Sequence, residues 1–259
     1  MAAMAGCLHT RTRTLPALGF ALALAATLSA QQPVRMAYEC TEEEAEAFGL
    51  ACTTDDPCPV FLELASADAA AGRLIAAGNL HTKNVTLYGI VLASDDNGVT
   101  WTEPFPRLRS AALEQIEFLD LQNGWISGES IDPLARDPFL LITSDGGRSW
   151  RRKPILDDTK YATIAQFHFD SPTHGELVLD ASQPKKTRQE LYESMTGGES
   201  WELKQVSSTP IRLQSARAPG QGPLRVRTDA ATGAFVVERG GGRTWDRVTS
   251  FAVHIADCQ

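Results

Sequence analysis

The sequence predicts an all-β protein: a β-propeller with four recognisable four-stranded blades, its two chain ends left over as material for a partial fifth. Three observations predict this. An octet of pattern Ser/Thr-x-Asp-x-Gly-x-Ser/Thr-Trp occurs as SDDNGVTW at 94–101 and TSDGGRSW at 143–150, and degenerate copies follow as SMTGGESW at 194–201 and ERGGGRTW at 238–245. The tryptophans that end the octets, Trp101, Trp150, Trp201 and Trp245, are spaced by 49, 51 and 44 residues. Each octet is surrounded by four short β-rich runs parted by turn residues, and a period of about 45–50 residues with four strands is that of a propeller blade. A lone blade cannot bury both its faces, so such units must pack side by side.

Residues 1–30 read as a secretory signal peptide. MAAMAGCLHTRTRT carries Arg11 and Arg13 and no acid, LPALGFALALAATL is apolar, and small residues precede a cut expected after Ala30. The apolar run is shorter than the ~20 residues of a membrane span. No Cys stands at Gln31 or Gln32 to carry a lipid, and no later stretch is apolar enough to cross a membrane. The mature chain is therefore expected to be secreted or periplasmic, with no membrane span. Removing the peptide takes two of the 24 basic residues and none of the 32 acidic ones, so the formal net charge moves from −8 to −10. An acidic chain of this kind argues against nucleic-acid binding.

Cys7 leaves with the peptide, and Cys40, Cys52, Cys58 and Cys258 remain. An even count in an exported chain favours two disulfides. Of the three pairings, Cys52 with Cys58 and Cys40 with Cys258 is preferred. The gap between Cys52 and Cys58 is wider than a zinc knuckle and no His cluster accompanies it, so no metal and no cofactor is expected. Residues 31–58 hold a strand-like run, PVRMAYEC, and a short helix in TEEEAEAFG, where Thr41 can cap and Glu44 can reach back in a capping box. FAVHIADC at 251–258 alternates likewise and also ends in Cys. Paired, the two scraps would make the partial fifth blade, pinned by Cys40–Cys258, beside a propeller domain over 59–259.

Within the first unit the strand runs are PVFLELASA, GRLIAAGNL, YGIVLASDD and TWTEPF; in the second they are LEQIEFLD, GWISGES, PFLLITSD and SWRRKP. The third has ATIAQFHFD, GELVLDAS, ELYESMTG and SWELKQV, and the fourth PIRLQSARA, PLRVRTD, AFVVERGG and TWDRVTS. The octet between strands three and four has the chemistry of a hairpin turn. Asp96 and Asp145 can accept from backbone N–H groups of the turn. Gly98, Gly147, Gly198 and Gly242 can supply a positive φ. Thr100, Ser149, Ser200 and Thr244 can tie the turn's ends together, and the tryptophans can bury large rings against the next unit. The fourth copy has Gly240 in place of Asp yet keeps Gly, Thr and Trp, so the Asp is read as a turn staple, not as a catalytic or metal-binding group.

These octets resemble the Asp-box, or BNR, motif shared by sialidases, sortilin-type receptors and photosystem II assembly and stability factors. FLDLQNGWISG followed by LITSDGGRSW is most similar to the last group. The resemblance covers roughly residues 59–250. It implies a propeller in which the motif lies away from the usual binding face, and it fits the third and fourth copies only in part. Photosystem factors usually have more blades than this chain supplies, so a photosynthetic role is not implied.

Sialidase-like activity would need an arginine triad, a tyrosine nucleophile with a Glu partner and an Asp acid at the centre. Tyr38, Tyr88, Tyr161 and Tyr192 are available, but the Phe-Arg-Ile-Pro signature is absent, and PIRL at 210–213 is a scrambled echo of it. His81, His168, His174 and His254 show no ligand spacing, and Trp125 reads as blade-to-blade packing in preference to ligand stacking. The long polar loops between strands two and three share a face with the blade connections, and loops on a rigid scaffold are where binding is usually placed. The expected interaction surface is His81, Lys83, Tyr88, Arg107, Arg109, Asp132, Arg136, Lys185, Lys186 and Arg188. The expected role is non-catalytic binding of a protein partner; glycan binding or sialidase-like hydrolysis is the alternative.

Overall fold

The structure, a computed structural model, describes Met1 and residues 32–213, 223–241 and 243–259. The signal peptide with its cut after Ala30, and Gly242 of the fourth octet, lie outside the described residues. Among the described residues, one short helix, α1 (Glu42–Ala47), precedes sixteen strands. Blade one contains β1 (Cys58–Ala70), β2 (Arg73–His81), β3 (Thr86–Ser94) and β4 (Leu108–Arg109); blade two contains β5 (Ala111–Phe118), β6 (Gly124–Ile131), β7 (Ala135–Thr143) and β8 (Arg151–Pro154). Blade three is β9 (Thr163–Phe169), β10 (Gly175–Asp180), β11 (Gln189–Ser194) and β12 (Glu202–Ser207), and blade four is β13 (Leu224–Thr228), β14 (Phe235–Gly241) and β15 (Thr244–Phe251). Within each blade, strands that follow one another in the chain pair antiparallel, and β16 (His254–Cys258) adds to the free edge of β1. The chain is an all-β propeller.

The middle strands are apolar on both faces because both faces are covered. In β2, Leu74, Ala76 and Leu80 pack with Leu224, Val237 and Phe251 of blade four, while Ile75 and Ala77 face Ala111, Leu113 and Phe118 of blade two. In β7, Phe139 and Leu141 turn toward blade one and Leu140 and Ile142 toward Phe167, Phe169 and Leu177 of blade three. A strand's period of two thus divides its side chains between two interfaces.

The octet turns fasten these interfaces. The Thr100 hydroxyl donates to Asp96 Oδ2 at 2.5 Å, and the Val99 and Thr100 amides donate to Asp96 Oδ1 at 3.0 and 2.9 Å. Asp145 repeats the pattern with the Arg148 and Ser149 amides, both at 2.9 Å, and the Ser149 hydroxyl at 2.5 Å. In the third octet Thr196 Oγ1 stands in for the carboxylate and accepts the Ser200 amide at 2.9 Å. Gly98, Gly147 and Gly198 have φ of +88°, +79° and +92°, and each lies on the preceding blade, against Val248, Ile75 and Ile142 respectively. Trp101 meets Phe251 of blade four edge-on at 5.1 Å, and Trp150 and Trp201 enter the next two interfaces. Trp125 stacks on Phe169 at 3.7 Å and 2° and donates Nε1–H to Gly197 O at 2.9 Å, so it is a packing residue between blades two and three.

Four details differ from the sequence reading. The termini do not form a blade of their own: β16 pairs with β1 in blade one, and the N-terminal run makes a single parallel bridge, Val34 with Phe251 of β15. Among its described residues the fourth octet shows no stapled turn. Lacking an acceptor at Gly240, the hairpin continues as ladder, with Gly241 opposite Thr244 and Gly240 opposite Trp245, and Arg225 lies over the Trp245 ring at 4.2 Å. The outer strand of blade one shrinks to a bridge between Ala93 and Thr102 plus the two residues of β4, because Pro104 and Pro106 interrupt the run and cannot donate to a ladder. The run expected as the first strand of blade four begins at 210–213 without strand structure, and the rest of it lies outside the described residues. The disulfides are Cys40–Cys258 and Cys52–Cys58.

Gly98→Ala should destabilise the protein by more than about 1 kcal/mol in urea unfolding, since the new methyl requires a disfavoured φ and would meet Val248 Cγ1 at 2.5 Å. Gly241→Ala, whose methyl meets nothing within 4 Å, should change stability by no more than about 0.5 kcal/mol. Equal effects at the two positions would show that the octet glycines are not seats for the neighbouring blade.

Candidate interaction face

The strand pairings put the 82–85, 132–134 and 181–188 loops at one end of their sheets and the octet turns at the other. The blade connections come to the loop end: Ile131 N donates to Ser110 O at 2.7 Å and Asp137 N to Lys160 O at 2.8 Å.

The ten expected surface residues separate into two groups. Tyr88, Arg107 and Arg109 hold the N-terminal segment onto blade one. The Tyr88 hydroxyl donates to Glu44 Oε1 at 2.6 Å, Arg107 Nη2 donates to Ala37 O at 2.7 Å, and the Arg109 guanidinium lies 4.8 Å from the Phe48 ring centroid. Burial, then the Glu44 carboxylate, raises the Tyr88 phenol to about 12. His81 donates Nδ1–H to Thr82 O at 2.7 Å and packs near Phe61. Lys83 is exposed on the same loop.

The second group surrounds a cleft. Between blades two and three, Leu134, Ala135, Tyr161, Ala162, Thr163, Asp180, Ser182, Gln183 and Pro184 line a depression of about 590 Å³. Leu134 and Tyr161 are 65% and 59% exposed. Arg136 pairs with Asp132 at 2.9 Å on one flank, and Lys185 and Lys186 are exposed on the other. Arg188 donates to Glu190 at 2.7 Å; Glu190 is fully buried and also takes the Lys160 ammonium and, at 2.9 Å, the Tyr192 hydroxyl. Burial works against that carboxylate's charge, and these donors outweigh it, so its pKa is lowered. This network sits on β11, the ladder neighbour of β10, whose Asp180 lines the cleft.

Leu134 and Tyr161 were not among the expected surface residues because the polar character of the loops was the signal. An apolar side chain at a loop tip differs from a core residue only in its neighbours, and neighbours are not legible from sequence. Glu129 was missed for a related reason. On β6 it lies opposite Ala112 of β5. It is 6% exposed. Burial, and then the Glu114 charge, raises it from 4.5 to about 7. Glu114 is itself raised by burial and by Glu63. The octet carboxylates go the other way. The Thr100 hydroxyl and amide hold Asp96 at about 2, and at Asp145 the Ser149, Thr143 and Arg148 hydrogen bonds overcome burial to the same result. His174 lies between Asp170 (2.8 Å) and Glu193 (3.2 Å), and these two carboxylates raise its pKa. No group of three His, Cys, Asp or Glu among the described residues is placed to hold a metal.

No protein family and no curated protein matches the chain by sequence. Solved structures resemble it at the level of fold. YCF48 bound to a D1 peptide is 18% identical over 74% of this chain and 53% of its own, with a TM-score of 0.36. An α-L-arabinanase of Penicillium chrysogenum complexed with arabinobiose is 15% identical over 76% and 62%, with a TM-score of 0.40. A GH74 xyloglucanase of Xanthomonas campestris is 14% identical over 71% and 29%, with a TM-score of 0.36. The chain thus spans less than two thirds of the length of each. Among the described residues no helix is long and apolar enough to cross a membrane.

Because Glu129 binds its proton more tightly in the folded than in the unfolded protein, its stabilising contribution is full below about pH 4.5 and is lost as pH rises through about 7. Glu129→Gln, which keeps the neutral shape at every pH, should exceed the wild type in stability at pH 8 by up to about 3 kcal/mol. The gap should close by about pH 4. Urea unfolding across this range checks it; a pH-independent gap would remove the assignment.

Proposed function

We propose that the chain is an exported, non-catalytic binding propeller that holds a protein segment at its loop face, in the cleft between blades two and three. The observation that carries this reading is the exposure of Leu134 and Tyr161 at the mouth of a cleft built on two packed blades. Large side chains left in water at a concave site gain most from burial against a partner, and aromatic anchors are typical of such contacts. Lys185, Lys186 and the Asp132–Arg136 pair form its polar rim. Export fits the two disulfides and the expected signal peptide. The first two octets, with their stapled Asp96 and Asp145, fit an Asp-box propeller whose motifs are structural.

A second reading, a glycan-binding protein or sialidase-like glycoside hydrolase, is favoured by one observation. Glu129 is held near pKa 7 beside Glu114, and a carboxyl kept protonated at neutral pH is what a general acid requires.

Capture from the native envelope extract tests the first reading. Leu134→Asp with Tyr161→Ala should reduce recovery of a saturable protein partner at least tenfold, while Val99→Asp with Met195→Asp, at exposed octet-face positions, should not. Unchanged recovery with the cleft variant would overturn the placement. Turnover of a fluorogenic sialoside that is lost in Glu129→Gln would replace the first reading with the second.

A further inference from the structure

The apolar clusters between blades join them in the order three, two, one, four. Among the described residues no apolar cluster, hydrogen bond or ion pair joins blade three to blade four. At these two ends the second side of the sheet is therefore covered by no other blade. On β10 and β11, Leu177, Leu179 and Tyr192 go to blade two. On β13 and β14, Leu224 and Val237 go to blade one. Strand alternation turns Glu176 and Glu193 to the other side of blade three, and Arg225, Arg227 and Glu238 to the other side of blade four.

Each of these sides carries mostly one sign. Glu176, Glu193 and Glu202 are direct ladder partners across β10, β11 and β12. Like charges placed opposite one another weaken a sheet. Lys204 meets Glu193 and Glu202 at 2.9 and 3.6 Å, His174 meets Glu193 at 3.2 Å, and Glu176 has no ion pair among the described residues. Blade four is the reverse. Arg225, Glu238 and Arg247 form a row across β13, β14 and β15. Arg225 and Arg227 both donate to Glu238 at 2.7 Å, Arg225 lies over the Trp245 ring, and Arg247 has no ion pair among the described residues. A merely solvated surface mixes its signs; these two segregate them.

The rows also match in direction and height. Ile142, just before its octet, faces the following blade, and Glu193 holds the same place in blade three. Val237, just before its octet, faces blade one, so Glu238 at the first octet position faces the preceding side. The acid row thus lies on the following side of its blade, and the arginine row on the preceding side, within one residue of the same height. The run at 210–213 lies toward the loop end of blade three, where Ile211 N donates to Gln189 Oε1 at 2.7 Å. The acid row at the octet end stays accessible, with Glu202 78% exposed. We propose that blade three of one copy of this chain docks face to face on blade four of a second copy. The two faces are the halves of one blade-to-blade interface that a single chain does not complete. Opposed charge steers and registers such a contact, and a head-to-tail contact uses both faces of every copy. Neither row includes a residue that lines the loop-face cleft, so this interface stands or falls apart from the function proposed above.

Analytical ultracentrifugation of the full disulfide-bonded chain tests it. The wild type should self-associate, at least tenfold more weakly at about 500 mM than at about 50 mM NaCl, because salt screens the opposed rows. Arg247→Glu and Glu202→Lys, both at exposed positions, should each weaken self-association at least tenfold while keeping the near-UV circular dichroism of the wild type. An equimolar mixture of the two variants should restore it, because each contact then pairs two native faces or two reversed ones. If Arg247→Glu does not fold, Glu202→Lys and the salt series carry the test. Leu134→Asp with Tyr161→Ala should associate like the wild type; loss of association there would move the interface to the cleft and overturn this placement. A monomer at every concentration in low salt, association indifferent to both reversals, or a mixture of folded variants that fails to restore it would overturn the proposal.

Discussion

The burial of both faces of each blade's middle strands is the constraint on which the rest of the molecule depends. β2 and β7 carry large apolar side chains on alternate sides, and each side is covered by a different blade. At roughly 1.5–3 kcal/mol for a fully buried Leu, Ile or Phe, one interface outweighs any loop contact. The octet turns keep the interfaces in register. A left-handed glycine lets the backbone lie directly on the preceding blade, the hydroxyl and carboxylate collect the amides that such a turn exposes, and the tryptophan fills the space behind. Blade three shows that a hydroxyl at Thr196 can replace the carboxylate. In blade four, where Gly240 offers no side-chain acceptor, the ladder runs on to Gly241 opposite Thr244.

With the octet end committed to packing, the loop end is free to vary. The N-terminal segment covers part of it. Thr41 caps α1 in a capping box with Glu44, and that same Glu44 accepts the Tyr88 hydroxyl, so the helix is joined to β3. Cys40–Cys258 links the segment to the last strand, and Cys52–Cys58 links its end to the first. Cys58 and Cys258 are ladder partners, so both cross-links converge on one position where β16 meets β1. Of the blade-one residues expected to meet a partner, Tyr88, Arg107 and Arg109 are thus engaged by the chain's own terminus, whereas Lys83 stays exposed.

Charge follows the same division. The octet carboxylates sit at the surface among donors and stay ionised far into acid. Glu190 and Glu238 are buried with two cations each. Glu129 has no such cation among the described residues, and burial raises its carboxyl to about 7.

The sequence by itself determined what repeats. The octet, its spacing and four runs per period were sufficient for an all-β propeller, for the octet turns of blades one to three and for Trp125 as a packing residue, because turn chemistry and strand alternation are local. The two disulfides were legible as a preference among three pairings. Where each terminus would lie, which loop arginines would be occupied and which acid would be left without a cation were decided by tertiary structure alone. β16 joins β1 because pairing extends an existing ladder, whereas two short runs joined only to each other would expose both faces. Leu134 and Tyr161 came to line one cleft only when separate strands and loops met. Proximity between residues far apart in the chain is set by which interfaces bury the most apolar surface, and no local pattern records it.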